Sequence, residues 1–241
     1  MINLIISGVL GRMGSRILAL ATQDPDFKIV GALEAKGSPA IEQEILPGLK
    51  VTDELEPLLE KGEVLVEFTT PEATLGHLDK VAPAKKAMVI GTTGFSSEQL
   101  MRIQRIAKII PVVLSPNMSI GVNVLFGLAA EAAKRLGPGY DIEIIEAHHR
   151  HKKDAPSGTA KKLTEEIANS VGKKAEQIPT HAIRAGDIVG DHTVIYAGVG
   201  ERIELIHRAQ SRDTFAQGAL RAAKFVVGQR PGLYNMKDVL G

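Results

Sequence analysis

Ile2-Asn3-Leu4-Ile5-Ile6-Ser7-Gly8-Val9-Leu10-Gly11-Arg12-Met13-Gly14 opens the chain with a β-branched apolar run that breaks into three closely spaced glycines. Such a run reads as a buried strand, and the residues after it, Arg12 to Thr22, carry helical periodicity. A second strand-like run, Lys28 to Leu33, completes a βαβ unit. Glycines at this strand-to-helix turn let the backbone bend sharply and approach a ligand closely. The open N–H groups and dipole at the helix start favour a dinucleotide pyrophosphate there, with Arg12 adding charge. The turn, Gly8, Val9, Leu10, Gly11, Arg12, Met13 and Gly14, has two residues between its first glycines where the commoner fingerprint has one. A plain tight turn is therefore the competing reading.

Glu34 strengthens the nucleotide reading. It ends the second strand about 20 residues past the turn, where a carboxylate accepts hydrogen bonds from a ribose 2′-OH. The same carboxylate repels a 2′-phosphate; Ala35 supplies no cation, although Lys36 could reach round. NADH is therefore expected to be used well, with NADPH left open.

The alternation continues outward from this unit: a strand at Val64 to Thr69, a helix from Pro71, a strand at Ala87 to Ile90, a helix at Ser96 to Lys108 and a strand at Val112 to Leu114. Right-handed crossovers of this kind build a parallel sheet covered on both faces. The fold class is α/β, a doubly wound Rossmann-type parallel sheet. Its strand ends place Gly91, Thr92 and Thr93, and then Ser115, Pro116, Asn117 and Met118, where an open sheet binds its ligand. Either loop taken alone reads equally as an ordinary turn.

Past Asn117 the pattern changes. A long apolar helix, Ser119 to Leu136, stops at Gly137-Pro138-Gly139; Asp141 to Ala147 reads as a strand and Ser157 to Val171 as a helix. Strands then follow one another at His192 to Ala197 and Arg202 to Ala209, which predicts a second α+β domain with a mixed or antiparallel sheet. A last helix runs from Thr214 to Val227.

Composition narrows the function classes. Twenty-nine basic and 28 acidic residues leave a net charge of +1, so no overall field recruits nucleic acid or an anionic membrane. No cysteine is present, which removes disulfides, thiolate metal sites and thiol nucleophiles and suits the cytoplasm. No secretory signal pattern opens the chain, and no long charge-free apolar run is present. Histidine is left as the chief group for chemistry near neutral pH.

Three of the seven histidines fall in Glu146-Ala147-His148-His149-Arg150-His151-Lys152-Lys153-Asp154-Ala155-Pro156-Ser157-Gly158-Thr159-Ala160, running from a strand end into a helix start. Cationic side chains beside helix N–H groups suit an anionic substrate, and Gly158 permits close approach. A solvated basic turn is one competing reading and a metal site another. Metal is disfavoured because adjacent His148 and His149 point to opposite faces of an extended chain and the neighbouring cations oppose a divalent ion.

Gly8 to Gly14 and His148 to Ala160 together resemble the signatures of the 4-hydroxy-tetrahydrodipicolinate reductase family, G-x-x-G-R-M-G and H-H-x-x-K-x-D-A-P-S-G-T-A. Family-like segments also run through Gly91 to Gly94, Asn117 to Asn123, Arg184 to His192 and Ser211 to Phe215. The resemblance implies hydride transfer from a nicotinamide to C4 of a cyclic unsaturated dicarboxylate, with loss of water. It implies His148 and Lys152 as the proton-donating pair, and His149, Gly158 and Thr159 as holders of a substrate carboxylate. It further implies a homotetramer built through the second domain's sheet, and domains at 1–118, completed by 208–241, and at 119–207. Family members at ease with NADPH often carry Arg directly after the acidic residue, where this chain has Ala35. Two rivals share the nucleotide turn: another amino- or imino-acid dehydrogenase, and a non-catalytic NADH-sensing protein. Neither accounts for His148 and Lys152 beside an anion-binding turn.

Overall fold

A computed structural model describes all 241 residues. In chain order the elements are β1 (Ile2–Ser7), α1 (Gly14–Ala21), β2 (Phe27–Leu33), β3 (Glu44–Leu46), β4 (Leu49–Thr52), α2 (Glu56–Lys61), β5 (Val64–Glu67), α3 (Pro71–Val81), β6 (Ala87–Ile90), α4 (Ser97–Ile106) and β7 (Pro111–Leu114). There follow α5 (Ile120–Leu136), β8 (Asp141–His148), α6 (Gly158–Val171), β9 (Thr180–Arg184), β10 (Gly190–Gly198), β11 (Glu201–Ala209), α7 (Asp213–Val226), β12 (Gly232–Tyr234) and α8 (Met236–Leu240). They form two compact units, the first from Met1–Ser119 with Phe215–Gly241, the second from Ile120–Thr214.

The first unit carries an eight-stranded sheet in the order β12-β7-β6-β5-β1-β2-β4-β3, parallel throughout except for the β3–β4 pair. The order reverses at β1, which lies between β5 and β2, and that reversal opens a crevice at the carboxyl ends of the strands. Val64, Leu65 and Val66 of β5 are all fully buried, as a strand covered on both faces requires. On one face Ile5, Leu65, Met88 and Val112 pack with Leu55, which precedes α2, Leu59 of α2, Leu75 and Leu78 of α3 and Ile103 of α4. Helices α3 and α4 begin at side-chain caps, Thr70 and Ser96, the latter in a reciprocal box with Gln99.

In the second unit the sheet order is β11-β10-β8-β9, with β10 antiparallel to both neighbours and β8 parallel to β9, so the sheet is mixed. Alternate residues of β8, Ile142 and Ile144, meet Val194 and Tyr196 of β10 beneath α5 and α6. Tyr196 is fully buried and donates its hydroxyl to the Ala129 carbonyl at 2.6 Å, which satisfies its one polar group.

Several boundaries differ from the expected ones for local reasons. Helix α1 starts at Gly14 rather than Arg12 because the glycine turn takes up the two preceding residues. Strand β5 ends at Glu67, before Thr69, since Thr69 folds back to hydrogen-bond the Glu67 carboxylate. Strands β3, β4, β9 and β12 are short or polar and carry no alternation that separates them from loops. Strand β11 stays paired with β10 to Ala209, and the second unit runs on to Thr214, past the 207 expected from sequence.

Candidate active site

The glycine turn is built by exclusion. A Cβ on Gly14 would lie 2.0 Å from the Gly8 carbonyl oxygen, so α1 can begin this close to the turn only with glycine there. Gly8 itself has φ +62, in the left-handed region. Val9 is buried with its N–H on the Leu33 carbonyl at 3.2 Å, while Leu10, Gly11 and Arg12 are exposed and Met13 is half-buried. No side chain caps the start of α1 and no acidic residue lies in its first turn, unlike the Thr70, Ser96 and Ser157 caps elsewhere. That leaves an anion-receptive helix start. Glu34 follows β2 and turns back to the same turn, its Oε1 accepting the Leu10 N–H at 2.7 Å.

The other two loops stand at the same edge. Gly91 packs so tightly that a Cβ would meet the Phe68 ring at 2.2 Å. Thr92 is buried and its hydroxyl bonds Thr74 at 2.9 Å, so only Thr93 of this pair presents an exposed side chain. After β7, Ser115 donates its hydroxyl to the Asn117 carbonyl at 2.8 Å and the Asn117 Oδ1 receives the Ser119 N–H at 2.9 Å, which sets the loop. Pro116 is exposed and Met118 buried. The Met118 carbonyl abuts Gly218 of α7, where a Cβ would come within 1.7 Å. At the end of β5 lies a carboxylate that the sequence did not single out. Glu67 is fully buried and accepts from the Thr69 N–H at 3.1 Å and His77 Nδ1 at 2.6 Å.

The histidine segment belongs wholly to the second unit. The period of two that buries Ile142 and Ile144 carries on to Glu146 and His148, which places a carboxylate and an imidazole on the covered face of β8. Glu146 is fully buried and accepts four hydrogen bonds: from Arg184 Nη2 at 2.7 Å and the Ser157 N–H at 3.0 Å on Oε1, and from Arg184 Nη1 at 2.8 Å and His148 Nδ1 at 2.5 Å on Oε2. Burial pushes its carboxyl upward, but Arg184, His148 and the Ser157 N–H outweigh that and hold it below the usual carboxylate range. Burial pushes His148 below the usual histidine range, and the Glu146 carboxylate opposes that only in part.

His192 of β10 stands edge-on to His148, ring centroids 5.3 Å apart at 76°. Its Nε2 is 3.4 Å from the Ser157 hydroxyl, and its Nδ1 is buried without a hydrogen-bond partner. Burial, reinforced by the charge on His148, holds His192 down to about 3, so it is neutral at physiological pH.

A second carboxylate organises the turn. Asp154 pairs with Lys152 Nζ at 2.9 Å, and its own N–H and that of Gly158 at the start of α6 lie where they favour its charge. Burial works to raise its carboxyl, yet Lys152 and these N–H groups keep it below the ordinary range. His149 is half-buried and its carbonyl accepts the Lys152 N–H at 3.0 Å. Lys153 faces solvent, and Arg150 is tied by its backbone N–H to the Gly186 carbonyl at 3.2 Å. Ser157 caps α6 by accepting the Ala160 N–H at 3.1 Å, and Gly158 and Thr159 form the helix's first turn.

His148 is therefore joined to the start of α6 through Glu146, and Lys152 is paired with Asp154 a few residues before that helix. The cluster offers a buried imidazole, an ammonium and a helix start, a combination able to hold an anion and deliver a proton. Reading from sequence assigned no role to Glu146, Asp154, Arg184 or His192. Glu146 could have been found, since it precedes His148 by two in a strand. Arg184 could not, because it reaches Glu146 only through the β8–β9 pairing that sets it opposite His148.

Comparison with known proteins agrees along the whole chain. Residues 2–118 match the family model described as dihydrodipicolinate reductase, N-terminus, and residues 121–240 the one described as dihydrodipicolinate reductase, C-terminus. The 4-hydroxy-tetrahydrodipicolinate reductase of Syntrophobacter fumaroxidans is 47% identical over 265 aligned positions, covering 100% of this chain and 99% of the relative. That of Aquifex aeolicus is 48% identical over 262 positions with the same coverage. Among solved structures, dipicolinate-bound dihydrodipicolinate reductase from a Paenisporosarcina species superposes with a TM-score of 0.84 at 27% identity, over 98% of this chain and 97% of that one. An amine dehydrogenase from Mycobacterium smegmatis, 13% identical with a TM-score of 0.64 over 98% of this chain and 95% of its own, shares the fold alone. From the glycine turn to the last helix, the chain belongs to the dihydrodipicolinate reductase family.

Proposed function

We propose that the chain reduces 4-hydroxy-tetrahydrodipicolinate, the substrate in its relatives' names, to tetrahydrodipicolinate with loss of water, in the diaminopimelate route to lysine. A bound pyridine nucleotide supplies the hydride. The uncapped start of α1 and the turn Gly8 to Gly14 receive its pyrophosphate, Glu34 its adenosine ribose, and the loops after β6 and β7 its nicotinamide end. NADH is the better fit, because Glu34 repels a 2′-phosphate and Ala35 offers no cation to hold one.

His148 and Lys152 hold the protons. Hydride addition to a conjugated imine leaves electron-rich carbon or nitrogen, which an adjacent cationic acid protonates. His149, Gly158 and Thr159 hold a substrate carboxylate. Asp154 is the observation that carries this assignment. The Asp154 carboxylate, paired with Lys152 Nζ and close to the Gly158 N–H, supports a substrate carboxylate being received at this turn. The exposed face of the second unit's sheet carries Ile145, Ile195 and Ile206, the last 46% exposed, which supports a homotetramer formed through that face. No helix is long and apolar enough to cross a membrane.

The test follows NADH and NADPH oxidation with freshly generated 4-hydroxy-tetrahydrodipicolinate, beside Lys152→Ala. Turnover that collapses in the variant by about a hundredfold, with nucleotide affinity kept, is the expected result. Tight nucleotide binding without turnover in the unmodified chain would sink the assignment.

A further inference from the structure

The segment Arg184 to His192 is also family-like, yet no step of the reaction uses it. The structure wraps this segment around His148. The Ala185 N–H donates to the His148 carbonyl at 2.9 Å, Arg184 clasps Glu146 with both terminal nitrogens, and His192 lies against the His148 ring. A Cβ on Gly190 would sit 3.1 Å from His148 Nε2, so glycine there keeps that side of the ring clear.

Counting donors settles which nitrogen carries the proton. A carboxylate offers about four lone-pair sites, and all four at Glu146 are taken by donors. Three of those donors, the two Arg184 nitrogens and the Ser157 N–H, can only donate. Glu146 is held ionised, so the fourth contact, 2.5 Å to His148 Nδ1, is satisfied only when Nδ1 bears a hydrogen. Nε2 is then the atom left to give and regain a proton.

We propose that Glu146, oriented by the two-pronged Arg184 clasp, is a positioning residue that fixes His148 with its hydrogen on Nδ1 and reserves Nε2 for proton transfer. The Ser157 N–H bond extends the role, since one carboxylate thereby registers the imidazole against the start of α6, where Gly158 and Thr159 lie. The inference rests on the reading of His148 as a proton donor.

The groups facing His148 set the sign of the pH effect. Burial, Lys152 of the following turn and Arg184 of β9 oppose the imidazolium, Glu146 on its own strand favours it, and His192 of β10, itself neutral, adds no charge. An acid loses activity as pH rises through its pKa, so removing the Glu146 charge moves the alkaline limb of kcat to lower pH.

The experiment compares Glu146→Gln and His148→Gln in the full chain, using the pH profile of kcat and the KM for nucleotide. Glu146→Gln is expected to lower kcat by about tenfold or more, shift the alkaline limb downward and leave the nucleotide KM unchanged. If His148→Gln collapses kcat while Glu146→Gln changes it less than about threefold and leaves the limb in place, the positioning role is overturned and the proton-donor reading stands. Should His148→Gln keep full kcat, the proton-donor reading falls and the positioning role with it. A variant that fails to fold does not block the decision. Histidine side-chain ¹⁵N spectra of the unmodified protein above pH 8, assigned by through-bond correlation from the His148 backbone, report the tautomer directly. Hydrogen on Nδ1 supports the proposal and hydrogen on Nε2 overturns it.

Discussion

Acidifying the protein from pH 7 to pH 5 tests the electrostatics of the second unit through His192. Its ring is 3% exposed, has one nitrogen without a partner and is held neutral down to about 3 against an ordinary 6.5. Between those values the unfolded chain binds a proton that the folded chain refuses. Stability from this group is therefore complete above pH 6.5 and is lost progressively as pH falls towards 3. Each pH unit within the window costs up to about 1.4 kcal/mol, and integration from pH 7 to 5 gives about 2 kcal/mol. With a urea dependence of about 2–3 kcal/mol per molar, the unfolding midpoint drops by roughly 0.7–1 M from this residue alone. His148 and His207 are also held below their ordinary range by burial, so the unmodified protein loses more in total. The His192 share is isolated by comparing urea midpoints from circular dichroism with those of His192→Gln, at one protein concentration because association shifts the midpoint. The variant is expected to show the shallower pH dependence whatever its absolute stability. Equal slopes would refute the reasoning, since His192 would then titrate alike in the folded and unfolded chains.

Gly218→Ala places a methyl group 1.7 Å from the Met118 carbonyl, backbone against which it cannot yield. It should force α7 away from the Ser115–Met118 loop, lower stability by about 1–3 kcal/mol and weaken nucleotide binding. Thermal melts and a nucleotide titration that both match the unmodified chain would show that this contact is loose. Ala35→Arg supplies beside Glu34 the cation that a 2′-phosphate needs, and should raise kcat/KM for NADPH relative to NADH by about tenfold. An unchanged ratio would remove these two positions from cofactor choice.

The nucleotide half was legible because its signals are local. Ile2 to Gly14 shows a buried strand, a turn that only glycine permits and a helix start within one short stretch, and the same rhythm recurs at β5, β6 and β7. Strands β9 and β12 were illegible because their residues satisfy no period and owe their form to neighbours distant in sequence. The histidine segment could be located, but its internal wiring could not. His148 and Lys152 are picked out by the family signature, whereas Arg184 and His192, which pack around His148, arrive through strand pairing. Thr92 shows the converse limit: position suggested a ligand-facing side chain, and packing turned its hydroxyl inward to Thr74.

The first unit is assembled from both ends of the chain, with β12 pairing to β7 across the whole span of the second unit in sequence. During synthesis the ribosome therefore emits a nearly complete nucleotide sheet whose outer edge at β7 stays open until Gly232–Tyr234 has left the exit tunnel. The second unit needs only residues 120–214 and can close on itself while that edge waits. Premature termination at the start of α7, just after Thr214, would spare the histidine cluster and strip Ala219, Ala222, Val226, Met236 and Val239 from the core of the other half. The fragment released would keep a folded second unit but an exposed β7 edge, a template for aggregation in place of a working enzyme.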